Sequence, residues 1–155
     1  MSEKTIELVI LRHGEADNAI PDRERCLTDF GRSQVVSQYQ WLQQQKFQPE
    51  LILHSPYKRT TETASLAKHF YPEVELQVEP IITPDGSPAL AAQLIPTLNK
   101  QSILMASHMP MVAYLTAEFL PDINIFGYPV AGLCWLQLEL NHSKATLLHK
   151  RWPEL

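Results

Sequence analysis

Three short stretches of the chain join arginine or histidine to small residues in patterns that could do chemistry: Arg12-His13-Gly14, Ser55-Pro56-Tyr57-Lys58-Arg59 and Ser107-His108. Arginine offers a planar fork of donors that matches phosphate oxygens. A neutral imidazole nitrogen can attack phosphorus and carry the phosphoryl group covalently, which divides one difficult displacement into two easier ones. His13 is the candidate nucleophile, because the adjacent Arg12 cation disfavours ring protonation and can hold a phosphoryl group against the ring. Arg59 would supply a second fork, and His108 would hydrogen-bond the equatorial oxygens as charge develops on them. Gly14 lacks a Cβ, so the backbone there could approach a phosphate closely.

For such residues to meet, the elements that precede them must end at one edge of the fold. The apolar runs 5–11 (TIELVIL), 50–54 (ELILH), 74–78 (VELQV) and 102–106 (SILMA) read as short strands. Helical spacing joins Val35, Val36, Tyr39 and Leu42 behind Thr28 as N-cap, and also Tyr57, Thr60, Ala64, Ala67 and Phe70. A third helix carries Leu90, Leu94 and Leu98, and a fourth carries Val112, Leu115 and Phe119 before Pro121 stops it. Residues 133–140 and 145–149 close the chain as two strands around a turn at 141–143. This alternation predicts a three-layer α/β/α sandwich with a mostly parallel central sheet and a C-terminal antiparallel hairpin. In such sheets ligands bind at the carboxyl ends of the strands, where all three stretches fall.

The chain has 155 residues, 45% of them hydrophobic, which reads as one domain over 1–155 with a sizeable core. A net charge of −4 without a Lys/Arg cluster argues against a nucleic-acid partner. The N-terminal stretch is interrupted by Arg12 and His13 before it could form a secretory or membrane-spanning segment, so the expectation is a cytoplasmic monomer away from membranes. Cys26 and Cys134 lie far apart with no CxxC, and no HxH or HExxH spacing occurs, so no disulfide, metal or cofactor is expected.

The chain resembles the histidine phosphatase superfamily, in its phosphoglycerate-mutase-like branch. The resemblance rests on Arg12-His13-Gly14-Glu15, then residues 27–34 (LTDFGRSQ), then residues 55–64 (SPYKRTTETA), then Ser107-His108, in the family's order and over most of the chain. It implies that His13 becomes phosphorylated, that Arg12 and Arg59 hold the phosphoryl group, and that His108 completes the site. Members acting on metabolites usually carry a glutamate after the third strand that protonates the departing alkoxide. Here Ile81 takes that position, with Glu79 and Asp85 as displaced candidates for a general acid.

Proton donation to an alkoxide contributes roughly 10²–10⁴ in rate, whereas an imidazole on phosphorus departs neutral once its far nitrogen is protonated, which a pKa of ~6.5 allows. Residues 79–88 read as the only connection long enough to lean over the site, which predicts a shallow, lidless cleft. Together with the short chain, these features resemble the SixA-type phosphohistidine phosphatases of bacterial phosphorelays, and the implied partner is a protein domain bearing phosphohistidine. Two alternatives stand beside this one: a small-metabolite phosphomonoesterase or mutase using Asp85 or Glu79, and a catalytically silent phospho-binding module.

Overall fold

The structure, a computed structural model, describes residues 4–153; residues 1–3, part of the N-terminal stretch read above, and residues 154–155 lie outside the described residues. In chain order the elements are β1 (Thr5–Arg12), α1 (Asp29–Gln44), β2 (Leu51–His54), α2 (Lys58–Leu66), β3 (Glu75–Val78), α3 (Pro88–Thr97), β4 (Ser102–Ser107), α4 (Met111–Phe119), β5 (Leu133–Glu139) and β6 (Lys144–Arg151). The strands form one six-stranded sheet in the order β3-β2-β4-β1-β5-β6. The first four are mutually parallel, and β5 runs antiparallel between β1 and β6. The three-layer sandwich with a terminal hairpin is thus the observed architecture. No helix among the described residues is long and apolar enough to cross a membrane.

Successive side chains of a strand face opposite sides of its sheet, so a strand covered on both faces must be apolar at nearly every position. In β1, Leu8 and Ile10 join Ala91 and Ile95 of α3 and Val112 and Leu115 of α4 in one core. Val9 and Leu11, one residue out of phase, join Val35, Tyr39 and Leu42 of α1 and Ala64 of α2 in the other. Thr28 caps α1 as expected, its Oγ1 accepting from the Gly31 N–H at 2.9 Å.

Two helices differ from their sequence patterns. The third buries Ala91 and Ile95, and Leu90 is 53% exposed. Apart from Gln93 and Thr97 its sequence is apolar, so spacing alone chose its face poorly; Ser87, accepting from Leu90 N at 3.2 Å, and Pro88 fix where the first turn begins. The second α-helix stops at Leu66, and Ala67–His69 tightens into a 3-10 turn before Phe70.

Register brings the chemistry-bearing residues to one edge. Arg12 is paired with Ser107 across β1 and β4, and His54 with Ala106 across β2 and β4, so His13, Ser55 and His108 leave the sheet side by side. Residues 79–88 are not the only long connection, as the sequence pattern implied. Residues 13–28 form an excursion closed at its base by an Ala16–Leu27 bridge and carry only the 3-10 turn Asp22–Glu24. Lacking an apolar period, this stretch left no helix or strand signal.

The base of that excursion lies backbone to backbone on α1. A Cβ on Gly14 would stand 2.4 Å from the Gly31 carbonyl oxygen, and one on Gly31 would stand 2.1 Å from the Glu15 carbonyl oxygen. Overpacking of this kind costs about 1–3 kcal/mol. Gly31→Ala, at a residue outside the cleft lining, is therefore expected to lower unfolding free energy by about that amount and to reduce activity with it; denaturant melts showing wild-type stability would refute this contact.

Candidate functional site

The residues leaving the strand ends build an open cleft of about 350 Å³ at the carboxyl edge of the sheet. Its polar lining is Arg12, His13, Glu15, Asp22, Arg25, Arg59 and His108, and its apolar lining is Ala16, Pro84, Met109 and Val130. Four of the sequence-predicted residues, Arg12, His13, Arg59 and His108, therefore meet. Gly14 does not line the cleft; its missing Cβ makes room for Gly31 rather than for a ligand.

His13 is 5% exposed, and its Nδ1 lies 2.7 Å from the Gly14 carbonyl oxygen. A carbonyl only accepts, so in the neutral ring the proton sits on Nδ1 and Nε2 carries the lone pair. That Nε2 accepts from Arg59 Nε at 3.3 Å. Burial first, then the charges of Arg59, Arg12 and Arg25, outweigh the Gly14 carbonyl and push the His13 pKa down to about 3. The ring is thus neutral at physiological pH, with its nucleophilic nitrogen among guanidinium groups.

His108, 1% exposed, packs edge-on to His13 with ring centroids 5.3 Å apart. Its Nε2 lies 2.7 Å from Ser55 Oγ, which itself accepts from Tyr57 N at 3.2 Å. In the tautomer in which the Ser55 hydroxyl donates to Nε2, the neutral ring carries its proton on Nδ1, a buried atom with no protein partner. Burial, then His13 and the three arginines, lower the His108 pKa to about 2. An unpartnered buried N–H at this place suits a phosphoryl oxygen.

The arginines are held from several elements. Arg12 Nη1 donates to the Tyr128 carbonyl at 2.8 Å, and its buried Nε has no protein partner. Burial and then the charges of Arg59 and Arg25 lower its pKa, a sign of crowded cations. Arg59, from the first turn of α2, donates from Nη1 to the Asp22 carbonyl at 2.9 Å and from Nη2 to Asp22 Oδ2 at 3.2 Å. Arg25 Nη1 reaches Asp22 Oδ1 at 3.2 Å. Partial burial works to raise the Asp22 carboxyl, but hydrogen bonds and charge from Arg25 and Arg59 leave it below the usual carboxylate value.

Neither Glu79 nor Asp85 lines the cleft. Glu79 caps the 3-10 turn Pro80–Ile82 through Ile81 N at 3.1 Å, and Asp85, next to the lining residue Pro84, is exposed. Their sequence neighbourhood placed them near the third strand end, but the loop sends only Pro84 to the site. The carboxylates that do line it, Glu15 and Asp22, and the third guanidinium, Arg25, were missed in the sequence. Asp22 and Arg25 belong to the aperiodic excursion, where the alternating charges of Asp22-Arg23-Glu24-Arg25 were the only signal. Among the described residues no group of three or more His, Cys, Asp or Glu is placed to hold a metal ion.

Residues of the LTDFGRSQ stretch do not enter the cleft; they anchor the excursion that does. Gln34 Oε1 accepts from Glu15 N at 3.1 Å, and Thr28 Oγ1 donates to Glu15 Oε1 at 2.8 Å. Glu62 of α2 accepts from Leu27 N at 2.8 Å and from Arg32 Nη2 at 2.7 Å. Behind the nucleophile, Ala131 N donates to the His13 carbonyl at 2.8 Å, from a left-handed backbone with φ of 57°. Gln38, fully buried, holds that turn by donating to the Ala131 carbonyl at 2.7 Å and the Arg151 carbonyl at 2.9 Å, and it accepts from Arg151 Nη1.

These lowered pKa values have a measurable sign. A free imidazole titrates near ~6.5, so on acidification the unfolded chain takes up protons that folded His13 and His108 refuse until about 3 and about 2. Stability is expected to fall as pH drops below ~6.5, and ring ¹⁵N NMR should show both residues neutral at pH 5. A midpoint near 6.5 for either ring would contradict this environment.

Comparison with known proteins gives a consistent result. The sequence pattern of the histidine phosphatase superfamily (branch 1) matches residues 8–82. Phosphohistidine phosphatase SixA of Escherichia coli K12 is 32% identical over 121 residues, covering 75% of this chain and 75% of that protein. The phosphohistidine phosphatase SixA homolog of Haemophilus influenzae is 30% identical, covering 96% of this chain and 97% of its own. The solved structure of the protein histidine phosphatase SixA complexed with tungstate superposes with a TM-score of 0.89 at 27% identity, over 96% of this chain and 97% of that one. A chain with two such relatives and this order of strand-end residues belongs to the histidine phosphatase superfamily, branch 1.

Proposed function

We propose that the protein is a phosphohistidine phosphatase: it takes the phosphoryl group from a histidine of a partner protein onto His13 and then passes it to water. The observation that carries this reading is the His13 ring, neutral, with its Nε2 lone pair turned to Arg59 Nε, a long 3.3 Å contact that an incoming phosphoryl group would replace, in a cleft lined by three arginines. In the first step Nε2 forms a bond to phosphorus as the P–N bond to the substrate imidazole breaks. Arg12, Arg25 and Arg59 hold the oxygens, and His108 Nδ1–H donates to one of them. In the second step water attacks phosphorus, the bond to His13 breaks, the electron pair returns to Nε2, and phosphate leaves.

The lining also supports the substrate class. Asp22, the carboxylate nearest the arginines, is held in its charged form and is a poor proton donor. Glu79 and Asp85 do not line the cleft, and Glu15, which does, is engaged through Oε1 by the Thr28 hydroxyl, so no lining carboxylate stands free to serve an alkoxide leaving group. An imidazole leaving group needs none at phosphorus, because its own far nitrogen carries the proton. Ala16, Pro84, Met109 and Val130 offer a flat ring apolar contact and offer sugar hydroxyls no partner side chain. The phosphorelay partner named by the resemblance, and action as a cytoplasmic monomer, belong to the same proposal.

Turnover of a phosphohistidine-bearing transfer domain should exceed that of simple alkyl phosphates, and an acid-labile radiolabel should be trapped on the wild type and vanish in His13→Ala. Faster turnover of the alkyl esters would overturn the substrate assignment, and a label that persists in His13→Ala would overturn the nucleophile. Arg59 uses all three of its nitrogens, on His13 and on Asp22, which an ammonium cannot imitate. Arg59→Lys is therefore expected to lose at least about tenfold in kcat/KM; near-normal kinetics would remove it from this role.

A further inference from the structure

The contacts of Asp22 differ from those of a structural ion pair. Its carboxylate spans two guanidiniums, at 3.2 Å from Arg59 Nη2 and 3.2 Å from Arg25 Nη1, both longer than the ~2.7–2.9 Å of a firm charge-assisted hydrogen bond. Its side chain is 58% exposed at the mouth of the cleft, while the Arg59 side chain is 5% exposed. Ion pairs to such a solvated carboxylate contribute about 0–1 kcal/mol each and exchange readily for a better anion. A phosphoryl dianion, with three strong acceptor oxygens, is that better anion.

We infer that Asp22 is a built-in competitor for the oxyanion site: its carboxylate satisfies Arg59 and Arg25 until a phosphoryl group displaces it, and it reclaims them as phosphate departs. This rests on the reading of the cleft as a phosphoryl-transfer site. Three arginines around a small pocket would bind the product, inorganic phosphate, with the same donors they turn on the substrate. A resident carboxylate weakens both by the same factor. The substrate regains that affinity through contacts its own protein surface makes outside the cleft, and free phosphate has none to make. Asp22 therefore sets how tightly the cleft holds any oxyanion, and so how readily product phosphate leaves, while the partner's surface contacts keep the substrate bound.

The arrangement separates this role from a merely positioning one. Arg59 Nη1 is anchored by the Asp22 backbone carbonyl at 2.9 Å, so a change of the side chain leaves that anchor in place. Calorimetric titration of wild type, Asp22→Asn and Asp22→Glu with inorganic phosphate and with tungstate tests the proposal. Asp22→Asn should bind phosphate about tenfold more tightly than wild type, with a matching fall in the product-inhibition constant during turnover, and Asp22→Glu should stay near wild type. Equal or weaker binding by Asp22→Asn would overturn the competitor role and leave Asp22 as a support for Arg59. Tightening in Asp22→Glu would also overturn it, since the charge is kept. Failure of wild type and both variants to bind either oxyanion would instead overturn the phosphoryl-site reading.

Discussion

An imidazole buried among guanidinium groups stays neutral, and that constraint organises the rest of this molecule. Desolvation and three nearby cations deny His13 a proton, so its Nε2 lone pair persists where an exposed histidine would be partly protonated. The same cations cannot lose their own charge, so the cleft is completed by an anion, and a tetrahedral dianion answers several forks at once. Neutral nucleophile and charged receptor are two results of one packing arrangement. The parallel sheet supplies it, because β1, β2 and β4 end in register and deliver His13, Ser55 and His108 to one edge.

Much of the supporting structure lies outside the cleft. The glycines at 14 and 31 allow backbone to touch backbone, Gln34 and Thr28 hold Glu15, and Glu62 ties α2 to the return of the excursion at Leu27. Residues that a sequence pattern presents as one signature thus divide by task. The arginines and histidines face phosphorus, and the threonine, glycine, glutamine and glutamate keep the loop that carries Asp22 and Arg25 at its height above the sheet.

What was legible in the sequence follows from periodicity. Strands covered on both faces are unbroken apolar runs, so their ends were visible, and with them Arg12, His13 and His108; Arg59 was marked by the helix that begins beside it. Asp22 and Arg25 were not, because residues 13–28 have no apolar repeat and reach the cleft through a bridge and a 3-10 turn. The third helix shows the opposite difficulty: PALAAQLIPT carries only Gln93 and Thr97 as polar marks, so the Leu90-Leu94-Leu98 stripe and the Ala91-Ile95 face that is buried look alike in spacing. Glu79 and Asp85 were candidates because position after a strand was the only guide; Glu79 instead caps its own turn through Ile81 N, and Asp85 is exposed outside the lining, where no periodic pattern could place it.

The seat of His13 is built from both ends of the chain. Its carbonyl rests on Ala131, Ala131 rests on Gln38, and Gln38 is clasped by Arg151 in the final strand. Loosening β6 at Arg151 would therefore slacken the turn at Ala131 that holds the nucleophile's backbone, although no residue of that strand lines the cleft.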